Sequence, residues 1–447
     1  MKAPDSEVLK YINKYSIKGI EIAWNPSNEI TSAVVIPAIK EYGNIKTLLL
    51  SLKNNESTYF KNTLFVFVIN NLPSSDTAVK EDNKKSLELL NNIVYKFCKD
   101  KFIKEIIESG LKIGYIDASS EGKELSEKTG GVGLARKIGM DAALIIFNYK
   151  ERNQKKLLIC LDADCTVKRN YLTEIHRQFY MNKIEAASIY FEHLLTNRED
   201  EDNAIICYEI FLRYYVMCLR YAKSYYAFYT IGSSMACDHK IYIKTEGMNK
   251  KKAAEDFYFL EKISKHTNIY SIKSTTVYPS SRKSWRVPFG TGQRVTRFQE
   301  KTHPEYILYN PDIFEILKNW LKIFHSGNIL NPDKYLLLAK GLNAGLYEFL
   351  RLQNFVPDLT SILKSSKSTE QVKMQQLRWF DGFRTLKLIH FLRDNGYPNI
   401  NMFKALDIIL TKCNIPVPLH TTEDVPGKEV QLEYLEKLRF LDNNLEI

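Results

Sequence analysis

The sequence of 447 residues lacks several features that mark common protein classes. Its seven cysteines are scattered and form no Cys-x-x-Cys pair, so we expect reduced core thiols and neither a disulfide framework nor a zinc knot. The most apolar stretch, residues 204–236, is interrupted by charges and falls short of the ~20 apolar residues that a spanning helix needs. Residues 1–20 build no apolar run typical of a secretory signal. These absences predict an intracellular, cytoplasmic protein.

Three glycine-containing motifs of other enzyme classes are also missing. Gly130-Gly-Val-Gly133 precedes a predicted helix, but no Gly-Lys-Ser/Thr follows it, and Gly-x-Gly-x-x-Gly does not follow the first predicted strand. Gly232-Ser-Ser-Met235 lacks the second glycine of a nucleophile elbow and indicates a close approach of the backbone to a ligand. Kinase-like use of ATP and dinucleotide-dependent oxidoreduction therefore lose support.

The composition is that of a globular protein with an excess of positive charge. Apolar residues make up 45% of the chain and charged residues 26%, which excludes disordered and fibrous classes. The net charge of +11 favours anionic partners, which include nucleotide phosphates, nucleic acid and membrane surfaces. Composition alone does not choose among these partners.

Short apolar runs alternate with amphipathic stretches through the first half of the chain, a pattern that predicts an α/β fold with a mostly parallel open sheet flanked by helices. Most of the predicted strands end in a polar or turn residue, where an open α/β sheet places its ligand crevice. Residues from Tyr306 onward are predicted to be helical. We therefore expect an N-terminal extension (1–30), an α/β catalytic domain (31–303) and a helical C-terminal domain (304–447). The predicted strands are Ala33–Pro37, Leu64–Asn70, Lys112–Asp117, Leu157–Asp162 and Ala186–Phe191.

Asp162-Ala-Asp164 begins at the last residue of the fourth predicted strand, directly after its apolar run Leu157 to Leu161. Because residues two apart in extended backbone point to the same side, both carboxylates can face one hard cation and the phosphates that it carries. A helix cap after the strand is the alternative interpretation of Asp162. The spacing is weak evidence by itself, since Asp200-Glu-Asp202 repeats it in a polar run with no strand before it.

Glu255-Asp256 opens a second acidic candidate site, at the start of a predicted helix. Acidic residues in a first helical turn are often explained by the helix dipole alone. A catalytic role becomes attractive if a hydroxyl group must lose its proton, because a carboxylate within hydrogen-bond reach then acts as the base.

A basic segment, Ser281 to Gly292, combines cations, aromatic residues and glycines. Arg282, Lys283 and Arg286 are candidates for holding a diphosphate, and arginine is well suited to phosphate oxygens. An exposed basic loop without a ligand is the alternative.

Taken in order, these motifs resemble those of inverting family-2 glycosyltransferases, which have the A-type, nucleotide-diphospho-sugar transferase fold. The resemblance runs from about Ser32 to Gln293. It rests on five motifs in the order that the family shows: Val35-Ile-Pro-Ala38 with Glu41, Gly133-x-x-Arg136 with Gly139, Asp162-Ala-Asp164, Gly232-Ser-Ser-Met235 and Glu255-Asp256.

The resemblance implies a role for each matching residue. Asp162 and Asp164 would hold a divalent cation, Mn²⁺ or Mg²⁺, together with the diphosphate, while Asp256, beside Glu255, would be the base that deprotonates the acceptor hydroxyl. Asn70 stands where family members commonly carry aspartates that recognise base or ribose, so the identity of the nucleotide is left open. Nucleotide contacts are implied for Pro37, Ala38, Glu41 and Arg136, and diphosphate contacts are expected for Arg282 and Arg286.

The processive enzymes' Gln-x-x-Arg-Trp motif is absent from this chain. Gln293-Arg-Val-Thr-Arg-Phe298 has one residue too many and phenylalanine in place of tryptophan. Together with the lack of membrane-spanning segments, this favours the transfer of a single sugar, a non-processive hexosyltransferase type of activity, in glycan biosynthesis.

The expected partners are a nucleotide-diphospho-sugar donor and an unidentified acceptor, and no nucleic acid is expected. A lipid-linked sugar or cell-envelope glycan precursor is one class of acceptor, and it would add peripheral contact with the inner face of the membrane. Two alternatives stay open. One is a retaining sugar transferase of the same fold, and the other is a basic protein that binds RNA or a membrane surface without catalysis, supported by the charge and by the tyrosine-rich segment Tyr208–Tyr229.

Overall fold

The computed structural model of the chain describes residues 4–27, 29–150, 154–196, 198–282, 290–418 and 424–444. Two compact units are present. The first consists of Met1–Leu194 and Thr230–Gln293, and the second of Leu195–Tyr229 and Arg294–Ile447. Segment 195–229, which the sequence analysis placed in the α/β domain, therefore belongs with the C-terminal helices, as does the short stretch 294–303.

The strands of the described residues include all five that the sequence predicts. They are β1 (Ala23–Trp24), β2 (Ser32–Ala38), β3 (Thr63–Asn70), β4 (Lys112–Ala118), β5 (Leu157–Cys160), β6 (Thr166–Val167), β7 (Ala186–Phe191), β8 (Met235–Asp238), β9 (Ile269–Tyr278), β10 (Ile307–Leu308) and β11 (Ile400–Asn401).

Helices occupy most of the remaining described chain. They are α1 (Ser6–Tyr15), α2 (Tyr42–Lys53), α3 (Thr77–Val94), α4 (Lys101–Glu108), α5 (Val132–Ile146), α6 (Tyr171–Met181), α7 (Glu199–Tyr221), α8 (His239–Lys244), α9 (Glu255–Ser264), α10 (Thr291–Glu300), α11 (Pro311–Phe324), α12 (Pro332–Leu342), α13 (Ala344–Leu352), α14 (Phe355–Ser365), α15 (Thr369–Trp379), α16 (Gly382–Asp394), α17 (Met402–Lys412) and α18 (Lys428–Asn444), with a short 3-10 helix at Ser57–Asn62.

The first unit is built on a nine-stranded sheet in the order β1-β4-β3-β2-β5-β8-β7-β9-β6. Its central strands β4, β3, β2 and β5 run parallel, whereas β8 is antiparallel to β5 and to β7. The carboxyl ends of the four parallel strands thus meet at one edge of the sheet. The predicted α/β architecture, an open sheet with a parallel centre and flanking helices, is confirmed.

Helices cover both faces of this sheet because its central strands are apolar on both sides. Successive residues of a strand point to opposite faces. Val34 on β2 packs in a core cluster with Leu48 and Leu49 of α2, while its neighbour Val35 faces α5. Gly139 of α5 lies so close to Val35 that a Cβ at this glycine would collide with the valine side chain. The glycine therefore lets α5 pack tightly against the sheet.

The apolar spacing predicts single helices over residues 86–102, 334–350 and 374–392. Each of them is interrupted in the structure, so these bounds are wrong. The segment 86–102 divides between α3 and α4, 334–350 between α12 and α13, and 374–392 between α15 and α16. At each break a short polar side chain caps the next helix. The side chains of Asp100, Asn343 and Asp381 accept hydrogen bonds from the backbone N–H groups of Ile103, Leu346 and Arg384. Such capping favours a new helix start over continuation.

The second unit has its own apolar core, in which α7 packs with the C-terminal helices. Tyr214 is 0% exposed and Tyr229 only 7%. The tyrosine-rich segment is therefore largely interior, and it does not form the aromatic surface that the RNA- or membrane-binding alternative invoked. Cys98 is exposed, so the prediction of core thiols is wrong for that residue. None of the helices in the described ranges is both long enough and apolar enough to cross a bilayer.

Candidate active site

The candidate site lies at the edge of the sheet where β5 ends and β8 begins. Cys160, the last residue of β5, pairs with Met235, the first residue of the antiparallel β8. Asp162 follows β5 and Gly232 precedes β8, so the antiparallel pairing brings two segments that are distant in sequence to the same place.

Arg136 on α5 gathers acidic side chains from two other segments. The residue is 2% exposed. Its Nη1 and Nη2 atoms donate to Oδ1 of Asp162 at 3.0 and 2.8 Å, and its Nε donates to Oε1 of Glu255 at 3.3 Å. One buried guanidinium therefore ties the start of α9 to the turn after β5. We call Arg136, Asp162, Glu255 and Asp256 the acidic cluster.

Gly232 leaves the room that this arrangement needs. A Cβ at Gly232 would collide with the guanidinium of Arg136 and would lie 3.5 Å from Oδ2 of Asp256. The sequence analysis predicted a close approach of this segment to a ligand. In the structure the close approach is to Arg136, and the same geometry places Asp256 next to the cluster.

Burial and like charges shape the electrostatics of the cluster. Burial, with help from the neighbouring Asp256 and against the opposing effect of Arg136, raises the pKa of Glu255 to about 7. Burial also raises the pKa of Asp256. Burial by itself would lower the pKa of Arg136, but the carboxylates of Asp162 and Glu255 more than offset this and raise it. The guanidinium is thus held in its charged form, while the raised pKa values of Glu255 and Asp256 mean that these two carboxyl groups ionise less readily than usual.

The glycines before α5 are explained by a neighbouring loop. A Cβ at Gly133 would collide with the backbone oxygen of Lys251 and would lie 2.9 Å from Cβ of Glu255. Asn249 in the same loop donates from Nδ2 to the backbone oxygen of Glu255 at 2.8 Å. The glycine-rich segment therefore lets the loop approach α5, which fixes the start of α9 and its two acidic residues.

A second group of side chains surrounds Asp164. Oδ2 of Asp164 accepts hydrogen bonds from Nε and Nη2 of Arg282 at 3.2 and 2.9 Å. Arg282 also pairs with the buried carboxylate of Glu41, which in turn accepts from Asn44. Arg282 thus joins the end of β9 to the segments that follow β2 and β5. Arg286 and Lys283, the other predicted diphosphate contacts, lie outside the described residues.

The remaining predicted nucleotide contacts lie at the ends of β2 and β3. Ala38 is 2% exposed and Pro37 is partly exposed. Asn70 uses Nδ2 to donate to the backbone oxygens of Ala38 and Val68, both at 3.1 Å. This amide group therefore joins the ends of the two strands, and a nucleotide contact by Asn70 stays a prediction.

Asn83 also shapes this edge, and no local pattern singles it out, since it lies within the amphipathic helix α3. Its Nδ2 donates to the backbone oxygen of Asn70 at 3.0 Å and to Oδ1 of Asn71 at 2.8 Å, and its Oδ1 accepts from the backbone N–H of Lys40 at 2.9 Å. Asn83 therefore fixes the segments after β2 and β3 relative to each other.

Asp162 and Asp164 suit a divalent cation of the kind that nucleotides carry. Among the described residues, no group of three or more histidine, cysteine or acidic side chains is arranged to hold a metal on its own. Mg²⁺ is commonly held by one or two carboxylates together with substrate phosphates and water, without an all-protein cage. The two carboxylates, 35% and 16% exposed as side chains, fit that kind of shared site.

Comparison with known proteins gives distant structural similarities. No protein-family model and no curated protein matches the chain. It is similar to S. aureus TarS 1–349 in complex with UDP-GlcNAc, with 12% identity, coverage of 83% of this chain and 93% of that chain, and a TM-score of 0.37. It is also similar to the mannosyltransferase PcManGT from Pyrobaculum calidifontis in complex with GDP-Man and Mn²⁺, with 12% identity, coverage of 87% and 95%, and a TM-score of 0.34. At this level of similarity, function has to be argued from the residues of this chain.

Proposed function

We propose that the chain is a metal-dependent glycosyltransferase that moves one sugar from a nucleotide-diphospho-sugar to an acceptor hydroxyl with inversion at the anomeric carbon. The observation that carries this proposal is the acidic cluster, in which Arg136 joins Asp162 and Glu255 and lies beside Asp256. These groups come from three distant segments and converge at the carboxyl edge of a parallel sheet, where open α/β folds bind ligands. All of them lie in the first compact unit, to which we assign the catalytic activity.

Asp256 is the proposed base. Its carboxylate takes the proton of the acceptor hydroxyl while the oxygen attacks the anomeric carbon of the donor sugar. Because attack comes from the face opposite the departing diphosphate, the configuration inverts. The raised pKa of Asp256 supports this role, since a more basic carboxylate is a better proton acceptor once it is ionised.

Glu255 is the proposed positioning residue of the pair. Its side chain is 5% exposed and its carboxylate contacts the guanidinium of Arg136. A group so enclosed is poorly placed to meet an incoming hydroxyl. It instead fixes Arg136 and, through the first turn of α9, the backbone that carries Asp256.

In this proposal the departing diphosphate binds beside Asp164 and the side chains around it. Asp162 and Asp164 are the residues that would hold the divalent cation, which when bound neutralises the charge that develops on the leaving group. The side chain of Arg282 is 38% exposed and its guanidinium pairs with the carboxylate of Asp164. The guanidinium can therefore also pair with phosphate oxygens that bind beside Asp164. Glu41 keeps Arg282 oriented there.

Donor binding and turnover can be tested separately. Thermal stabilisation of the chain by a panel of nucleoside diphosphates, with and without Mn²⁺ or Mg²⁺, should show a metal-dependent shift with at least one nucleotide. Asp164→Asn should lose this shift, and Asp256→Asn should keep it but lose turnover. Asp200→Asn is the matched control, because Asp200 has the same Asp-x-Asp spacing but is exposed at the start of α7.

The anomeric configuration of the product, read by NMR, separates the inverting enzyme from a retaining one. A chain that no nucleoside diphosphate stabilises with either metal, or an Asp256→Asn variant with the turnover of the wild type, would overturn the proposal.

A further inference from the structure

Helix α12 in the second unit exposes three leucines. Tyr335 and Ala339, four residues apart, are both 0% exposed and belong to the core. At about 100° per residue, Leu337, which is 69% exposed, points away from these core contacts, whereas Leu338 and Leu342, each 38% exposed, lie on the flank between Leu337 and the buried side. The outer face of a helix in a globular protein is normally polar. We call Leu337, Leu338 and Leu342 the leucine surface.

The apolar character continues beyond the helix. Leu342 also lines a groove of about 390 Å³ together with Ile323 at the end of α11 and Leu330 in the connection to α12. Through Leu342 the leucine surface adjoins this groove, whose other lining side chains, Asn319, Lys322, Ser326 and Asn328, are polar. Exposed areas of this kind mark binding sites more often than isolated exposed leucines do.

Lysines surround this area. Lys322 lines the groove, and Lys334 and Lys340 are exposed on α12. In the described parts of the chain, none of the three forms an ion pair with an acidic side chain. Segment 318–342 contains four lysines and one acidic residue, Asp333, in a chain whose net charge is already +11. The surface therefore combines exposed leucines with a local excess of positive charge.

We propose that the leucine surface docks on a bilayer that contains anionic lipids. In a helix that lies on a bilayer, leucines contact the acyl chains and lysines contact the phosphates of the lipid headgroups. Lysine suits this arrangement, since its apolar stem lies along the leucines while its ammonium group reaches the lipid headgroups. This inference does not rest on the proposed catalytic activity.

A second copy of the chain is a less suitable occupant. In a symmetric dimer the same patch is used by both copies, so Lys322, Lys334 and Lys340 of both copies would be brought into one interface. Like charges across an interface oppose association. An anionic lipid surface instead complements these lysines.

Co-sedimentation of the full chain with vesicles provides the test, using phosphatidylcholine alone and phosphatidylcholine mixed with phosphatidylglycerol, at low and high salt. We expect binding to the mixed vesicles that weakens as salt increases. Combined replacement of Lys322, Lys334 and Lys340 by glutamine should weaken it by roughly a hundredfold, about fivefold per lysine. Combined replacement of Leu337, Leu338 and Leu342 by glutamine should abolish it.

Two matched controls come from the first unit. Met181→Gln removes an exposed apolar side chain, 73% exposed on α6, and Lys84→Gln with Lys85→Gln removes two exposed lysines of α3. Both should bind as the wild type does. If the leucine variant folds poorly, Leu337→Trp replaces it, and its fluorescence should shift to shorter wavelength only with mixed vesicles.

Three results would overturn the inference. They are absence of wild-type binding to the mixed vesicles, binding that the leucine and lysine replacements leave unchanged, and a wild-type dimer in lipid-free solution that the leucine variant converts to a monomer. The last result would assign the surface to a second copy of the chain.

Discussion

Arg136 is the residue on which the acidic cluster depends, and we predict that Arg136→Met destabilises the chain by ~3–5 kcal/mol, because removing one partner leaves the other charge buried and unpaired. Glu255, 5% exposed at its side chain, accounts for most of this loss. Asp162 is 35% exposed at its side chain and adds little, since solvent-exposed pairs are worth about 0–1 kcal/mol. At roughly 2–4 °C per kcal/mol, the melting temperature should fall by roughly 6–20 °C.

The destabilisation caused by Arg136→Met should depend on pH. The pKa of Glu255 determines whether it grows or shrinks as pH rises. Burial raises that pKa from 4.5 to about 7 in the folded chain. A carboxyl group whose pKa is higher in the folded chain than in the unfolded chain stabilises the folded state at low pH. This contribution is fully present below the pKa of the unfolded chain and is lost as pH rises through the pKa of the folded chain. Without Arg136 nothing comparable favours the ionised form, so the pKa of Glu255 should rise further. The deficit of Arg136→Met should therefore be smaller at about pH 5 than at about pH 8.

Thermal and denaturant unfolding of the wild type, Arg136→Met, Glu255→Gln and the double variant at both pH values provides the assay. The double variant should recover much of the stability that Arg136→Met loses, because the buried carboxylate is removed with its partner. A deficit that is equal at both pH values, or a double variant whose losses simply add, would show that an unpaired Glu255 carboxylate is not the cause of the lost stability.

The remaining predictions concern catalysis and packing. Asp256→Asn should lower kcat by about 10²–10⁴-fold in steady-state assays, while thermal stabilisation by the donor is kept. A variant that loses both turnover and stabilisation by the donor would instead indicate a structural role for Asp256. Because burial raises the pKa of Asp256 and the base must be ionised, kcat/KM should begin to fall with decreasing pH above the ordinary aspartate value of 3.8. A rate that stays constant down to pH 3.8 would argue against this base. Gly232→Ala should destabilise the chain by about 1–3 kcal/mol in thermal melts, because the added methyl group overpacks the space beside Arg136. Gly43→Ala is its control, since a Cβ there would meet nothing within 4 Å, and equal effects of the two substitutions would contradict the close approach.

Features that depend on local sequence could be predicted. The central strands appear as continuous apolar runs because they are buried on both faces, and all eight residues of β3 are buried. The position of Asp162 directly after such a strand, and of Glu255 and Asp256 in the first turn of a helix, follows from the same local signals. Short strands without such a run, β8 among them, and the ten-residue β9, which also lacks one, were not predicted. Helix breaks at Asn343 and Asp381 were missed because helical periodicity continues across them.

Local sequence is enough to predict the parallel central strands and the candidate acidic residues, since these depend on apolar runs, turn residues and spacing within a few positions. Which of these residues contact one another is seen only in the folded chain. It joined Arg136 to Asp162 and Glu255, Arg282 to Asp164, and segment 195–229 to the C-terminal helices. A guanidinium is stabilised by whichever carboxylates the packed backbone brings within about 3 Å, and residues that lie 26 to 119 positions apart, as these pairs do, give no local signal of that contact.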